Sequence, residues 1–310
     1  MGNDTAVCDL PASRLGMGSL HWPVLLYTLV LFVVGVTGNS LVFFIYHCHL
    51  KKNVFGSFVQ ILAVLDMVIV FVCLPCTFLL RFAYDIDIVD ASVLCKTQTF
   101  AKHFSAAMMG VVLSAIAYQR YQKACKPLGY HMTRYFVLKL CVSGICFSLI
   151  TSTPIIYLIG KTTTIVKKEN EYYCVPTCNF SRKHWFPLAY AIFVDVEFIA
   201  FTMFLVVTYF KIWKSLGKSF AQTGSRRVST RVFFVSAIIY IVSGLPIMAI
   251  ATWFSVHENL HTFSPILLTA FDIGLYLPYV NCVAHTAIYS MASSLFRVEC
   301  RALCQCTQPQ

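Results

Sequence analysis

Long apolar stretches alternate with short polar ones along the whole chain. Seven apolar stretches stand near residues 22–46, 55–82, 93–121, 135–158, 184–213, 228–254 and 263–290. A bilayer core about 30 Å thick is crossed by roughly 20 helical residues, so each stretch is long enough to span it. Backbone N–H and C=O groups cannot face lipid unpaired, so the stretches are predicted to be helices. The connections are short, with no repeat or low-complexity run. The pattern therefore predicts an all-α membrane protein: an external segment at 1–21, a seven-helix domain at 22–290, and an amphipathic helix with a short tail at 291–310. In that last part Phe296, Cys300, Leu303 and Cys304 fall on one helical face, which reads as an interfacial helix with Cys300, Cys304 and Cys306 as palmitoylation candidates. Between the fourth and fifth stretches, residues 161–175 read as a hairpin. Its arms are Thr162–Val166 and Glu171–Val175.

Composition agrees with the pattern, since the chain is 58% hydrophobic and 12% charged, against about 25% charged for ordinary soluble domains. The net charge of +11 would suggest nucleic acid if it coated one soluble surface. Its distribution suggests a bilayer instead, and no nucleic-acid partner is expected. With the N-terminus outside, most of the 24 Lys and Arg lie on the inner side, while of the 13 acidic residues only Glu299 does. That is the positive-inside arrangement. Both glycosylation sequons, at Asn3 and Asn179, then fall outside. No cleaved signal peptide is apparent, and Ala6 stands where a myristoylation motif needs Ser or Thr.

The third stretch carries most of the information. Cys95 and Arg120 are 25 positions apart, about 38 Å along a helix. The cysteine would sit just outside one face of the bilayer and the arginine at the other. Here the chain resembles a rhodopsin-like (class A) G-protein-coupled receptor, whose third helix has this cysteine and ends in Asp-Arg-Tyr. In this chain Gln119 replaces the aspartate and Tyr121 follows the arginine. Other landmarks are similar: Gly38-Asn39, Leu62 to Asp66, Pro127-Leu128, Tyr209, Pro246, and His285-Thr286-Ala287-Ile288-Tyr289 in the place of Asn-Pro-x-x-Tyr. Gly144, Phe201, Gly244 and Thr286 depart from the family pattern.

The resemblance implies roles. Arg120, with Gln119, Tyr121, Tyr209 and Tyr289, would contact a heterotrimeric G protein. Asp66 would sit among Asn39, Asn281 and His285, where the family holds a sodium ion. An unpaired carboxylate at the bilayer centre costs about 2.5–3.5 kcal/mol on insertion scales. Met109 replaces a small polar residue there, so an Asp66–His285 pair is expected in place of sodium, with a hydrogen bond to neutral His285 as the alternative. Cys95 would bond the second outer loop. The hairpin reading favours Cys174 as its partner and leaves Cys8 and Cys178 as the residual two, either bonded to each other or free. Lys102 occupies the position where amine receptors place an aspartate. It points to an anionic or acid-bearing ligand, with His103, Arg81 and Glu197 beside it. The alternative is that Lys102 pairs with Glu197, Asp195 or an outer aspartate.

Other classes fit poorly. An intramembrane metalloprotease needs a motif such as His-Glu-x-x-His, and none is present. A retinal protein needs a lysine in the seventh stretch, which has none, and no cofactor is expected. A transporter should show repeats or broken helices in matched positions. A receptor-shaped protein that does not signal is the strongest competitor, because of Gln119, Gly244 and Thr286.

Overall fold

The computed structural model describes the backbone of residues 10–11, 18–49, 53–82, 91–126, 129, 132–168, 171–180, 185–216, 224–256, 265–292 and 294–306. Helix α1 (Gly18–Phe44) runs into a π-helical turn (Ile45–His49). Helix α2 (Val54–Val68) passes through a second π stretch (Ile69–Cys73) into α3 (Leu74–Phe82). Pro75 accounts for that stretch, because in a regular α-helix its ring would meet the carbonyl of Phe71. Then come α4 (Ala91–Cys125), α5 (Arg134–Ser152) and α6 (Ile155–Leu158). Pro154 has no N–H to donate, and the fourth stretch is broken there. The chain continues through strands β2 (Ile159–Lys168) and β3 (Glu171–Phe180) to α7 (Trp185–Leu216), α8 (Gly224–Val256), α9 (Pro265–Ala292) and α10 (Ser294–Cys306). Six helical spans among the described residues are long and apolar enough to cross a membrane. Helix α9 is as long, at 28 residues, and contains Pro278.

Local sequence sets the inner helix starts. Asn53 accepts a hydrogen bond from the Gly56 N–H (2.7 Å), and Thr133 accepts one from the Phe136 N–H (3.2 Å). Each side chain satisfies a donor that a helix N-terminus leaves free. Packing decides the centre. In α4, 61% of the most apolar window is buried by protein, against 22% in α7. Helix α4 is therefore the axis, and α7 leaves Ile199, Phe210 and Trp213 exposed on its outer surface, where lipid would cover them. Around Leu113 and Ile116 on the inner half of α4 lie Phe58, Leu62, Leu205, Ile212 and Phe233. A smaller outer cluster joins Leu31, Val70, Tyr276 and Tyr279.

The sheet over the outer end has strand order β1-β3-β2. Strand β1 (Leu10–Pro11) lies parallel to β3, with Leu10 opposite Tyr173 and Pro11 opposite Cys174. The sequence gives no signal for this pairing. Strands β2 and β3 form the expected hairpin, with longer arms than the sequence suggested.

Those longer arms correct the disulfide. Cys95 bonds Cys178, with Cα atoms 5.3 Å apart, and not Cys174. Cys178 is opposite Lys161 at the base of the hairpin, whereas Cys174 is opposite Ile165, four residues or about 13 Å farther out. The two cysteines are an even number apart and share a face, so only distance from the base separates them. Cys178 is thereby taken, which rules out a Cys8–Cys178 bridge; Cys8 lies outside the described residues. Replacing Cys95 or Cys178 with serine should sharply reduce surface expression, a loss of about 2–4 kcal/mol of stability. Cys174→Ser should leave the Cys95 link intact in non-reducing peptide mapping. A Cys95–Cys174 peptide in wild type would contradict the assignment.

Candidate functional site

Three polar clusters lie at successive depths of the bundle, the outer and inner ones on α4. At the outer end, the Gln98 amide donates to Thr77 Oγ1 (2.6 Å) and to Tyr279 Oη (3.1 Å). Thr77 donates to the Cys73 carbonyl (2.8 Å), so in its 2.8 Å contact with Tyr279 the phenol is the donor. One turn deeper, the ammonium of half-buried Lys102 lies 4.9 Å from the centroid of the Tyr279 ring. This is cation–π distance. Tyr276 packs on Tyr279, and Tyr27 packs on Tyr276. Lys102 therefore faces α3 and α9.

His103 is rotated by about 100° on the same helix. Its Nδ1 is 2.8 Å from Ser152 Oγ, and its Nε2 is 3.8 Å from Glu197 Oε2. Asp195 accepts a hydrogen bond from Thr252. Among the described residues, neither Glu197 nor Asp195 pairs with Lys102. The expected set thus divides into two groups, Lys102 on one face of α4 and His103 with Glu197 on another. The Arg81 side chain lies outside the described residues, as do those of Asp272, Trp253, Asn179 and Cys304 and all of Asn3. Gln98 and Thr77 were missed in the sequence, although a glutamine in an apolar helix was a visible signal.

At mid-depth the carboxyl of Asp66, fully buried, meets fully buried His285, with Nδ1 to Oδ2 at 2.9 Å. Asn39 and Asn281 stand nearby in the fold but bind elsewhere. Asn39 Nδ2 donates to the Gly35 and Cys282 carbonyls, and Asn281 Nδ2 donates to Ser243 Oγ. Thr286 donates to Asn39 Oδ1 (3.1 Å). A Cβ added at Gly38 would come within 2.5 Å of the Thr286 methyl, so Gly38 makes room for the residue that replaces the family proline. The imidazole occupies one carboxylate oxygen, Asp66 Oδ2, which a bound sodium ion would have to share.

At the inner end Arg120 is 6% exposed, with Nε and Nη2 lacking hydrogen-bond partners. Its guanidinium carbon lies 5.4 Å from the Phe55 ring centroid and 5.3 Å from that of Phe233. Gln119 is buried with Oε1 unpartnered, and the Tyr209 and Tyr289 hydroxyls are buried and unpartnered too. Tyr121 packs against the edge of the inner core. Helix α10 docks beneath. Phe296 stacks on Tyr46, Glu299 lies 3.2 Å from His49 Nδ1, and Cys300 packs against the inner core.

Two measurements test the middle cluster. His285→Ala leaves a buried carboxyl without its partner, and should cost about 3–5 kcal/mol in detergent unfolding. Replacing sodium with choline should leave the wild-type melting temperature unchanged. A sodium-dependent stabilisation that disappears in Asp66→Asn would contradict the pairing.

Sequence comparison agrees with this geometry. Residues 38–289 match the family described as "7 transmembrane receptor (rhodopsin family)". Cholecystokinin receptor type A from Oryctolagus cuniculus is 31% identical over 159 residues, covering 50% of this chain and 36% of that receptor. The same receptor from Canis lupus familiaris is 31% identical over 159 residues, covering 49% and 36%. The human one is 31% identical over 134 residues, covering 42% and 31%. The likeness thus spans about a third of each relative's length. The family match covers all seven membrane-spanning helices at least in part, and the chain belongs to the rhodopsin family of seven-transmembrane receptors, multi-pass membrane proteins that are not enzymes.

Proposed function

We propose that this chain is a plasma-membrane receptor that passes the binding of an acid-bearing extracellular ligand to a heterotrimeric G protein, with measurable basal activity. The observation that carries the reading is the pair of cations on one central helix. Lys102 at the outer end has no carboxylate partner among the described residues, and Arg120 at the inner end has no hydrogen bonds at Nε or Nη2. A half-buried ammonium resting on a ring face gains a stronger partner when an anion arrives. Likeness to the cholecystokinin receptors supports an extracellular ligand. Basal activity follows from Gln119, since the residue beside Arg120 is neutral and offers no charge to hold it.

Ligand-free coupling across a panel of G proteins, at matched surface expression, tests the reading. Wild type should couple measurably, Gln119→Asp should lower the signal about two- to fivefold, on the scale of 1 kcal/mol or less, and Arg120→Ala should nearly abolish it. No coupling with any G protein, and no effect of Gln119→Asp, would favour a receptor-shaped partner that does not signal. For an acid-bearing agonist found by screening wild type, Lys102→Ala should cost roughly 1.5–3 kcal/mol, about 10- to 150-fold in potency, with surface expression unchanged. Unchanged potency would remove Lys102 from the site.

A further inference from the structure

We propose that Phe55 and Phe233 are positioning residues that hold Arg120 in the uncoupled state, using two ring faces where an acidic partner would use charge. The guanidinium sits in the angle between the rings, whose centroids are 5.2 Å apart with planes inclined at 60°. Both ring distances, 5.4 and 5.3 Å, are within the range of a cation–π contact. Phe233 is fully buried, and Arg120 is 6% exposed. The guanidinium has therefore left water, and its Nε and Nη2 receive no acceptor in exchange. The electron-rich ring faces are what it meets instead.

The clamp joins three helices, because Phe55 is on α2, Arg120 on α4 and Phe233 on α8. It is also continuous with the middle cluster. Phe233 meets Tyr289 edge-on at 6.4 Å, Tyr289 stacks on His285 at 6.1 Å, and His285 holds Asp66. On the other side Phe55 touches Tyr46, which stacks on Phe296 of α10. A cytosolic protein reaches Arg120 only after a ring leaves it. Because Phe233 is carried by α8, any displacement of the inner end of α8 from α4 withdraws its ring. Ring faces hold a cation less firmly than a carboxylate does, which is compatible with basal coupling in the wild-type chain.

This inference rests on Arg120 as the coupling residue, so its test has one readout that needs no G protein. Paired spectroscopic labels at Tyr135 on α5 and Arg231 on α8, both exposed at the inner side, report the separation of those helix ends in the whole 310-residue chain. Phe55→Leu and Phe233→Leu keep apolar bulk but remove the ring faces. Each should increase the population with α8 displaced, and the basal coupling, by roughly two- to fivefold. Phe55→Tyr, which retains the ring, should behave as wild type. In an Arg120→Ala background neither leucine substitution should shift the separation further, because the cation they act on is gone. Because Phe55 is only partly buried, its leucine variant keeps the test usable if the Phe233 variant folds poorly. An unchanged separation in Phe55→Leu, or an equal shift with and without Arg120, would overturn the clamp. A shifted separation with no coupling in any variant would leave the clamp standing and count against the G-protein reading.

Discussion

A polar group inside this bundle has no water to fall back on, and that constraint orders everything along α4. The helix is largely enclosed by protein, so its polar side chains look to neighbouring helices for partners. One face supplies Gln98 and Lys102 to α3 and α9, and another supplies His103 to α5 and α7. The same rule operates beyond α4, where Asp66 of α2 and His285 of α9 close on each other. Several buried polar atoms still lack partners, and many of these gather at the inner end, on Gln119, Arg120, Gln122, Tyr209 and Tyr289. Orphaned groups in a native structure call for a reason.

The departures from the family pattern are absorbed by packing. Gly244 stands where a tryptophan is usual, and the ring of Phe198 occupies its side-chain space, so that a Cβ there would clash. At Gly144 the neighbours are Met108 and Val111 of α4. Phe201, in place of a proline, lies over Gly110, again close enough that only glycine fits beneath it. Large and small residues have exchanged places between adjacent helices.

Much of this was legible in the sequence, for physical reasons. Spans of apolar residues must be helices in lipid, so the seven helices could be read without knowing their contacts. The Asp66–His285 contact was legible because the family resemblance placed His285 near Asp66 and a buried acid needs a partner. The bridge to Cys178 was not, since two cysteines on one strand face look alike until strand length is known. Nor was the split between Lys102 and His103, because adjacent residues on a helix face different neighbours, and the neighbours depend on how the bundle packs. The rings around Arg120 were invisible for a related reason. Phe55 and Phe233 read as ordinary apolar positions, and nothing in their spacing signals a cation between them. Strand β1 is two residues long, too short to leave a pattern.

The bridge between Cys95 and Cys178 spans 83 residues of chain, and this gives it a place in biosynthesis. At roughly 5–20 residues per second, the second cysteine leaves the ribosome several seconds or more after the first. In that interval the third and fourth spans must enter the bilayer with the correct orientation, or the two thiols end on opposite sides of the membrane. Closure of the bridge is therefore a record that the third and fourth spans have crossed in the right sense. A nascent chain with free Cys95 in the oxidising lumen is one whose hairpin has yet to arrive or whose spans are inserted wrongly.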